Sequence, residues 1–413
     1  MNILPWIIWI LSSIFIIFKS IQLPFFDVAA AKIGTSLSAD EEILSSISAI
    51  YFYTYATLQI PVGLIFDRFN AKKPLIFAIT CSAIGACLFS IADDPVHAII
   101  YRIIMGTGSA FGFIGSLKLI QEWFPPEKFS TLAGITGTAT TLGGVFGLPL
   151  DWAINAIGWR EVMMVIGLMQ FLLLALFYIF TREPKQPIPK NTEIEDSPKD
   201  KKTIGGIFGM LRNKQCLLNI SFGTAMCVIY GGFGGLWGAN YIMQYYKIED
   251  VHAASIGSYL FIGSTIGPIF FGWLSSRIQN NKNIMLFAGI ASAISLSSIV
   301  YIENLPIIVF EFILSLIGIF SGVYIISYTY AKNLYPRLSS LSIGLLNTVV
   351  YLGIGGSQQI VGFLLQFHSN QASLENVSQL SLADYRFAFS SMVFFIIIGI
   401  ISTLFLKKTN PVI

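Results

Sequence analysis

Charge is what this 413-residue chain has least of: Asp, Glu, Lys and Arg make up only 11% of it. A soluble domain carries about a quarter. Hydrophobic residues make up 54% and mean hydropathy is +0.72, so no soluble fold of this size hides so much apolar surface. Histidine is nearly missing. His97, His252 and His368 are scattered, so neither a zinc site nor a histidine relay is suggested. Cys81, Cys87, Cys216 and Cys227 sit in or beside apolar segments without metal spacing, and read as small buried hydrophobes. The net charge of +3 is small and dispersed, which argues against nucleic acid as a partner. No phosphate-binding glycine loop occurs, so pumping driven by a nucleotide is not expected and no cofactor is implied. The N-terminus lacks a basic region before its apolar run, which continues past Lys19 to Phe26; it reads as a first membrane span, not a cleaved leader.

What is there is length of apolar chain. Twelve stretches approach the roughly 20 residues needed to cross a bilayer: 4–26, 44–66, 74–92, 96–119, 130–152, 161–181, 216–236, 253–275, 283–302, 306–329, 339–366 and 385–406. Lipid offers no partner to an open backbone, so all must be helical. The expected fold is an all-α membrane protein of twelve transmembrane helices in two six-helix bundles. One segment, Thr181 to Thr203, is rich in proline and charge and reads as a flexible linker. It divides the chain into bundles 1–181 and 204–413, joined by 182–203. Lys and Arg crowd the loops on one side, leaving only Lys32, Arg160, Lys247 and Arg386 on the other. The positive-inside bias then places both termini in the cytoplasm of a cell whose inner membrane holds the protein.

The two halves repeat. Gly63-Leu-Ile-Phe-Asp67-Arg68-Phe-Asn-Ala-Lys72-Lys73 returns as Gly272-Trp-Leu-Ser-Ser276-Arg277-Ile-Gln-Asn-Asn-Lys282. The run from Pro126 to Gly134 returns as Pro336 to Gly344, and Trp159-Arg160 as Tyr385-Arg386. Parallel halves around a shared cavity are the plan of a transporter. The same repeat carries Arg102 onto Glu311.

Five charges fall within spans: Lys19, Arg102, Lys118, Asp151 and Glu311. Each costs about 2.5–3.5 kcal/mol at a helix centre, so each needs a cavity, a partner or an interface. Arg102 lies about 10 Å into its span and Glu311 about 8 Å into the matching one, at 1.5 Å per residue. Two readings fit. Lys19 and Arg102 hold a carboxylate while Glu311 holds an ammonium or carries a proton; or Arg102 braces its helix and Glu311 meets a tyrosine or a carbonyl. Lys118 is expected to snorkel to the cytoplasmic interface, and Asp151 to sit at the opposite interface beside Trp152. Tyr51, Tyr55 and Gln59 share one helix face. Tyr230, Trp237, Asn240 and Gln244 mark span seven; Tyr324 and Tyr328, span ten; Asn347, Tyr351 and Gln358, span eleven. Such aromatic and amide groups suit a polar organic solute, or equally an interfacial belt.

The loop Gly63, Asp67, Arg68, Lys72, Lys73 resembles the loop 2–3 signature of the major facilitator superfamily, G-x-x-x-D-R-x-G-R-R, with Asn70 where glycine is usual. Arg102-Ile-Ile-Met-Gly106-Thr-Gly108 resembles its span-four signature R-x-x-x-G-x-G, and Trp123-Phe124-Pro125 its W-F-P ending. The run Tyr51 to Gly63, with Gly158-Trp159-Arg160, is similar to the phagosomal transporter branch of intracellular bacteria. That branch is associated with amino-acid or nucleoside uptake. The resemblance implies a conformational latch at Gly63, Asp67, Arg68 and Lys72, with Arg277 in the second copy. There Ser276 replaces the aspartate, so the second latch is weakened. The glycine-rich run Gly143-Gly144-Val-Phe-Gly147-Leu-Pro149 lacks the Gly-Pro pair of the superfamily's drug exporters.

The expected function is secondary transport of a small polar organic solute: amino-acid import by proton symport, with alternating access, by a monomer in the bilayer. The substrate-binding or coupling set is Lys19, Tyr55, Gln59, Arg102, Tyr230, Trp237, Asn240, Glu311, Asn347 and Tyr351. Export of drugs, siderophores or metabolites is the alternative. A membrane enzyme would need a cluster of acid, histidine or nucleophile at one interface. A non-transporting sensor would add a soluble domain.

Overall fold

The computed structural model describes residues 3–39, 41–182, 203–278, 280–369 and 380–407. The described chain is helix throughout: α1 (Leu4–Leu37), α2 (Glu41–Arg68), α3 (Lys72–Ser90), α4 (Pro95–Trp123), α5 (Phe129–Thr141), α6 (Gly147–Ile157), α7 (Trp159–Phe180), α8 (Thr203–Arg212), α9 (Lys214–Gly231), α10 (Gly238–Tyr246), α11 (Asp250–Arg277), α12 (Asn281–Tyr301), α13 (Ile307–Ser321), α14 (Tyr324–Leu334), α15 (Ser339–Ser369) and α16 (Leu382–Leu404). Most of the linker expected at 182–203 lies outside the described residues.

Helix starts follow from local chemistry. Asp94 precedes Pro95 in an extended conformation, and its carboxylate accepts the N–H groups of Val96 at 2.8 Å and His97 at 3.0 Å. That arrangement caps α4, since the first turn of a helix leaves its N–H groups unpaired. The His97 N–H and ring hold the Asp94 carboxyl below the usual carboxylate range. Asn213 caps α9 in the same way, and Ser381 with Asp384 forms a reciprocal capping box at α16.

Eleven stretches among the described residues are long and apolar enough to cross a membrane. The expected fifth span is the twelfth, and it is interrupted: a 3-10 turn, Leu142–Phe146, separates α5 from α6. At Gly143 the backbone presses on the Ser20 carbonyl of α1, leaving no room for a Cβ. Span seven is also broken, by a π-helical stretch at Gly232–Trp237 between α9 and α10. Span ten divides into α13 and α14 at Gly322. The short helix α8 was not anticipated by the hydropathy pattern. Its ten residues are too few to span, and Phe208 and Leu211 lie exposed along it.

The chain forms two compact units. One comprises 1–129, 139–207 and 335–345; the other comprises 130–138, 208–334 and 346–413. Within the first, α4 packs on α1, α2 and α3, and α7 packs on α1 and α3. Within the second, α13 packs on α11 and α12, α14 on α9, and α16 on α9 and α12. Each of these adjacencies in one unit has its counterpart in the other at the matching place in the repeat. Arg160 at the start of α7 donates to the Ser90 carbonyl that ends α3, at 3.0 Å. Arg386 at the start of α16 donates to Val300 near the end of α12, at 3.1 Å. The sequence repeat is therefore a repeat of packing.

Candidate functional site

In the first unit the expected face of α2 is buried. Tyr51 and Tyr55 are almost fully covered, and Gln59 completely so. The Tyr51 hydroxyl donates to Ser109 Oγ at 2.7 Å, and Gln59 Nε2 reaches the carbonyls of Tyr55 and Ala110. These contacts bind α2 to α4. Lys19 is buried on α1, with its Nζ 3.9 Å from the centre of the Tyr55 ring. An ammonium held against a ring face away from water gains about 2 kcal/mol or more.

Arg102 is fully buried. Its Nε donates to the Ile47 carbonyl at 3.2 Å, and its two Nη groups reach the carbonyls of Gln22 and Ser48 at 3.4 Å. The guanidinium also lies over the rings of Phe26 and Tyr51, at 4.9 and 4.7 Å. Five donors in a fixed fork allow one side chain to join α4 to both α1 and α2. Arg102→Lys keeps the charge and loses the fork. We expect it to lower the thermal midpoint by several degrees; an unchanged melting curve would remove the brace.

Lys118 corrects an expectation. It does not snorkel: its side chain is 8% exposed and lies 3.8 Å from Glu122, which is 1% exposed. Glu122 in turn accepts the Ala71 N–H at 3.2 and 3.3 Å, at the start of α3. Glu122 escaped the sequence reading, although its place one turn beyond Lys118 was a usable signal.

In the second unit Tyr328 donates to Asn347 Oδ1 at 2.7 Å, and the rings of Tyr324 and Tyr328 meet edge to face. Tyr230 and Tyr351 lie in the electrostatic neighbourhood of this pair. The Tyr230 hydroxyl is buried beside Ser264. Tyr230, Asn347 and Tyr351 are thus brought together with Tyr324 and Tyr328. Trp237 and Asn240 lie further along span seven; the Trp237 indole N–H donates to the Gln358 carbonyl at 3.0 Å. Glu311 is half-buried near Tyr246 and enters none of the ion pairs found among the described residues.

The two copies of the repeated loop make matching contacts of unequal strength. In the first unit Asp67 accepts the N–H groups of Ser340 at 2.8 Å and Leu341 at 2.9 Å, the first turn of α15. Gly63 packs on the Ser340 carbonyl, and Gly344 on that of Gln59, with no room for a Cβ at either. In the second unit Gly272 packs on the Ser130 carbonyl, and Gly134 on that of Pro268. Here the contact at the aspartate's place is a hydroxyl pair, Thr131 donating to Ser276 at 3.0 Å. A carboxylate at a helix N-terminus makes charge-assisted bonds and meets the helix dipole; a hydroxyl pair does neither. Arg68 and Arg277 are exposed, Arg277 near the Trp273 ring, and Lys72 lies 5.5 Å from the Tyr178 ring.

Two six-helix bundles with repeated packing and polar groups buried among apolar spans are the build of a multi-pass membrane transporter. The chain matches the family model of the Major Facilitator Superfamily over residues 8–357 and belongs to that superfamily. It is a secondary transporter of that type, not an enzyme. It is 23% identical over 399 residues to the probable galactarate/D-glucarate transporter GarP of Escherichia coli, covering 87% of this chain and 89% of GarP. It is 26% identical over 184 residues to the uncharacterized transporter YybO of Bacillus subtilis, covering 43% of this chain and 42% of YybO. Its fold is similar to a crystal structure of the E. coli fucose:proton symporter FucP, with a TM-score of 0.67 at 15% identity, covering 97% of this chain and 98% of FucP.

Proposed function

We propose that this transporter carries a small hydroxylated organic acid inward, together with a proton. The observation that carries the reading is Lys19, a buried ammonium set against the Tyr55 ring. A cation at such depth is costly, and an anionic solute offsets the cost. GarP, which matches along most of its length, is named for two sugar acids. An amino acid would need an anionic partner as well, which leaves Glu311 for the ammonium. With an organic acid Glu311 is free to take the coupling proton instead. Tyr55 serves the first unit beside Lys19, where Gln59 and Arg102 are braces; Tyr230, Asn347 and Tyr351 supply hydroxyl and amide groups within the second. Asp67 with Gly63 holds one conformational state; Arg68, Lys72 and Arg277 stand at the ends of the same helices. A single chain with both termini in the cytoplasm carries the whole pathway.

The experiment is competition in proteoliposomes. Galactarate-like acids are expected to compete for the site, and amino acids and nucleosides not. Competition by amino acids alone would return the pathway to the zwitterion. For coupling, Glu311→Gln is expected to abolish the response of uptake to an imposed pH gradient while leaving solute exchange intact. A Glu311→Gln protein that still responds to the gradient would remove Glu311 from coupling.

A further inference from the structure

A pocket in the second unit is set apart from the tyrosine cluster. Its volume is about 400 Å³, and Trp237, Gln358, Gln359, Gly362, Phe363 and Gln366 line it. Asn347 stands eight residues into α15 and Gln358 nineteen, about 12 and 28 Å from the helix start at 1.5 Å per residue. With a hydrocarbon core of about 30 Å, the pocket belongs to the end of the bundle remote from Ser339, not to mid-depth.

Its chemistry is specific. No lining residue is charged, yet three are glutamines. Gln359 is exposed. An exposed amide facing hydrocarbon costs several kcal/mol, so this wall faces water or a solute. The indole is held in place, its N–H donating to the Gln358 carbonyl. At Gly362 a Cβ would stand 3.0 Å from the indole, so the glycine lets α15 close onto the ring, and Trp237 keeps only a 7% exposed edge toward the pocket. Gly235 likewise makes room for the Gln358 amide. Each glutamine offers donors and an acceptor together. A carboxylate would use only the donors and an ammonium only the acceptor. A hydroxyl uses both, and the carbon chain of a polyol has an apolar side to lay on an aromatic ring.

We propose that this pocket is a binding site for an uncharged, polyhydroxylated segment of a solute, at the mouth of the pathway and separate from the tyrosine cluster. Gln359 and Gln366, about 10 Å apart along α15, hydrogen-bond separate hydroxyls of the polyol, and the exposed edge of Trp237 meets the carbons between them. The proposal deepens the organic-acid reading by naming what recognises the hydroxyls, but it does not depend on the solute's charge.

The test is tryptophan fluorescence of the purified full-length protein titrated with galactitol, a neutral hexitol, against 1,6-hexanediol, which lacks the inner hydroxyls. Galactitol is expected to change the emission saturably, and hexanediol not. Trp237→Phe is expected to abolish the signal. Gln359→Leu and Gln366→Leu are each expected to weaken galactitol at least tenfold with an unchanged melting curve. The proposal is overturned by absence of a galactitol signal, by an equal signal from hexanediol or in Trp237→Phe, or by unaltered affinity in both glutamine variants. Galactitol binding without any galactarate transport would sink the organic-acid reading and leave this pocket standing.

Discussion

Lys19→Met is expected to reduce uptake of the organic acid between tenfold and a hundredfold without lowering thermal stability. The loss corresponds to one charge-assisted hydrogen bond, worth about 1.5–3 kcal/mol. Methionine fills a similar volume in the space beside Tyr55 and removes a charge that is expensive to bury. Stability is therefore expected to hold or rise while transport falls. Arg102→Lys separates the two roles, because there stability falls first. Uptake by Lys19→Met within twofold of the parent would place the anion elsewhere.

Asp67→Ala carries the second large effect. It removes both hydrogen bonds to the first turn of α15. At about 1.5 kcal/mol each, the lower value for bonds to a charged group, their loss shifts the balance of conformers by about a hundredfold. The thiol of Ser340→Cys is expected to react with a maleimide at least tenfold faster in the Asp67→Ala background. Ser276→Asp is the converse: it offers a carboxylate beside Thr131 at the start of α5, and is expected to slow alkylation of Ser130→Cys. Equal rates with and without the Asp67 carboxylate would mean that the contact does not gate.

The sequence made the scaffold legible because its repeat is a repeat of contacts. Gly63 and Gly272 each press a helix onto a serine carbonyl, and no side chain fits between. The weaker contact in the second copy was readable for the same reason, since Ser276 stands where Asp67 does. Interruptions were not readable from hydropathy. The turn at Leu142–Phe146 and the π-helical stretch at Gly232–Trp237 are set by close backbone approach, which leaves an apolar run looking unbroken. Lys118 was misread because apolar length says nothing about a partner one turn away. Arg102 has the donors for a carboxylate, and only the carbonyls of Ile47, Ser48 and Gln22 around it show how they are used. Tyr230 and Trp237 both mark span seven in the sequence. The broken helix divides them between a pocket and a tyrosine cluster.

The most direct test of organic-acid transport by this chain is accumulation of labelled galactarate in proteoliposomes containing only the purified protein, with an imposed pH gradient. The account predicts accumulation above the external concentration, dissipated when the gradient is collapsed, and unaffected by excess amino acid. Accumulation of amino acids under the same gradient, with galactarate neither entering nor competing, would contradict it.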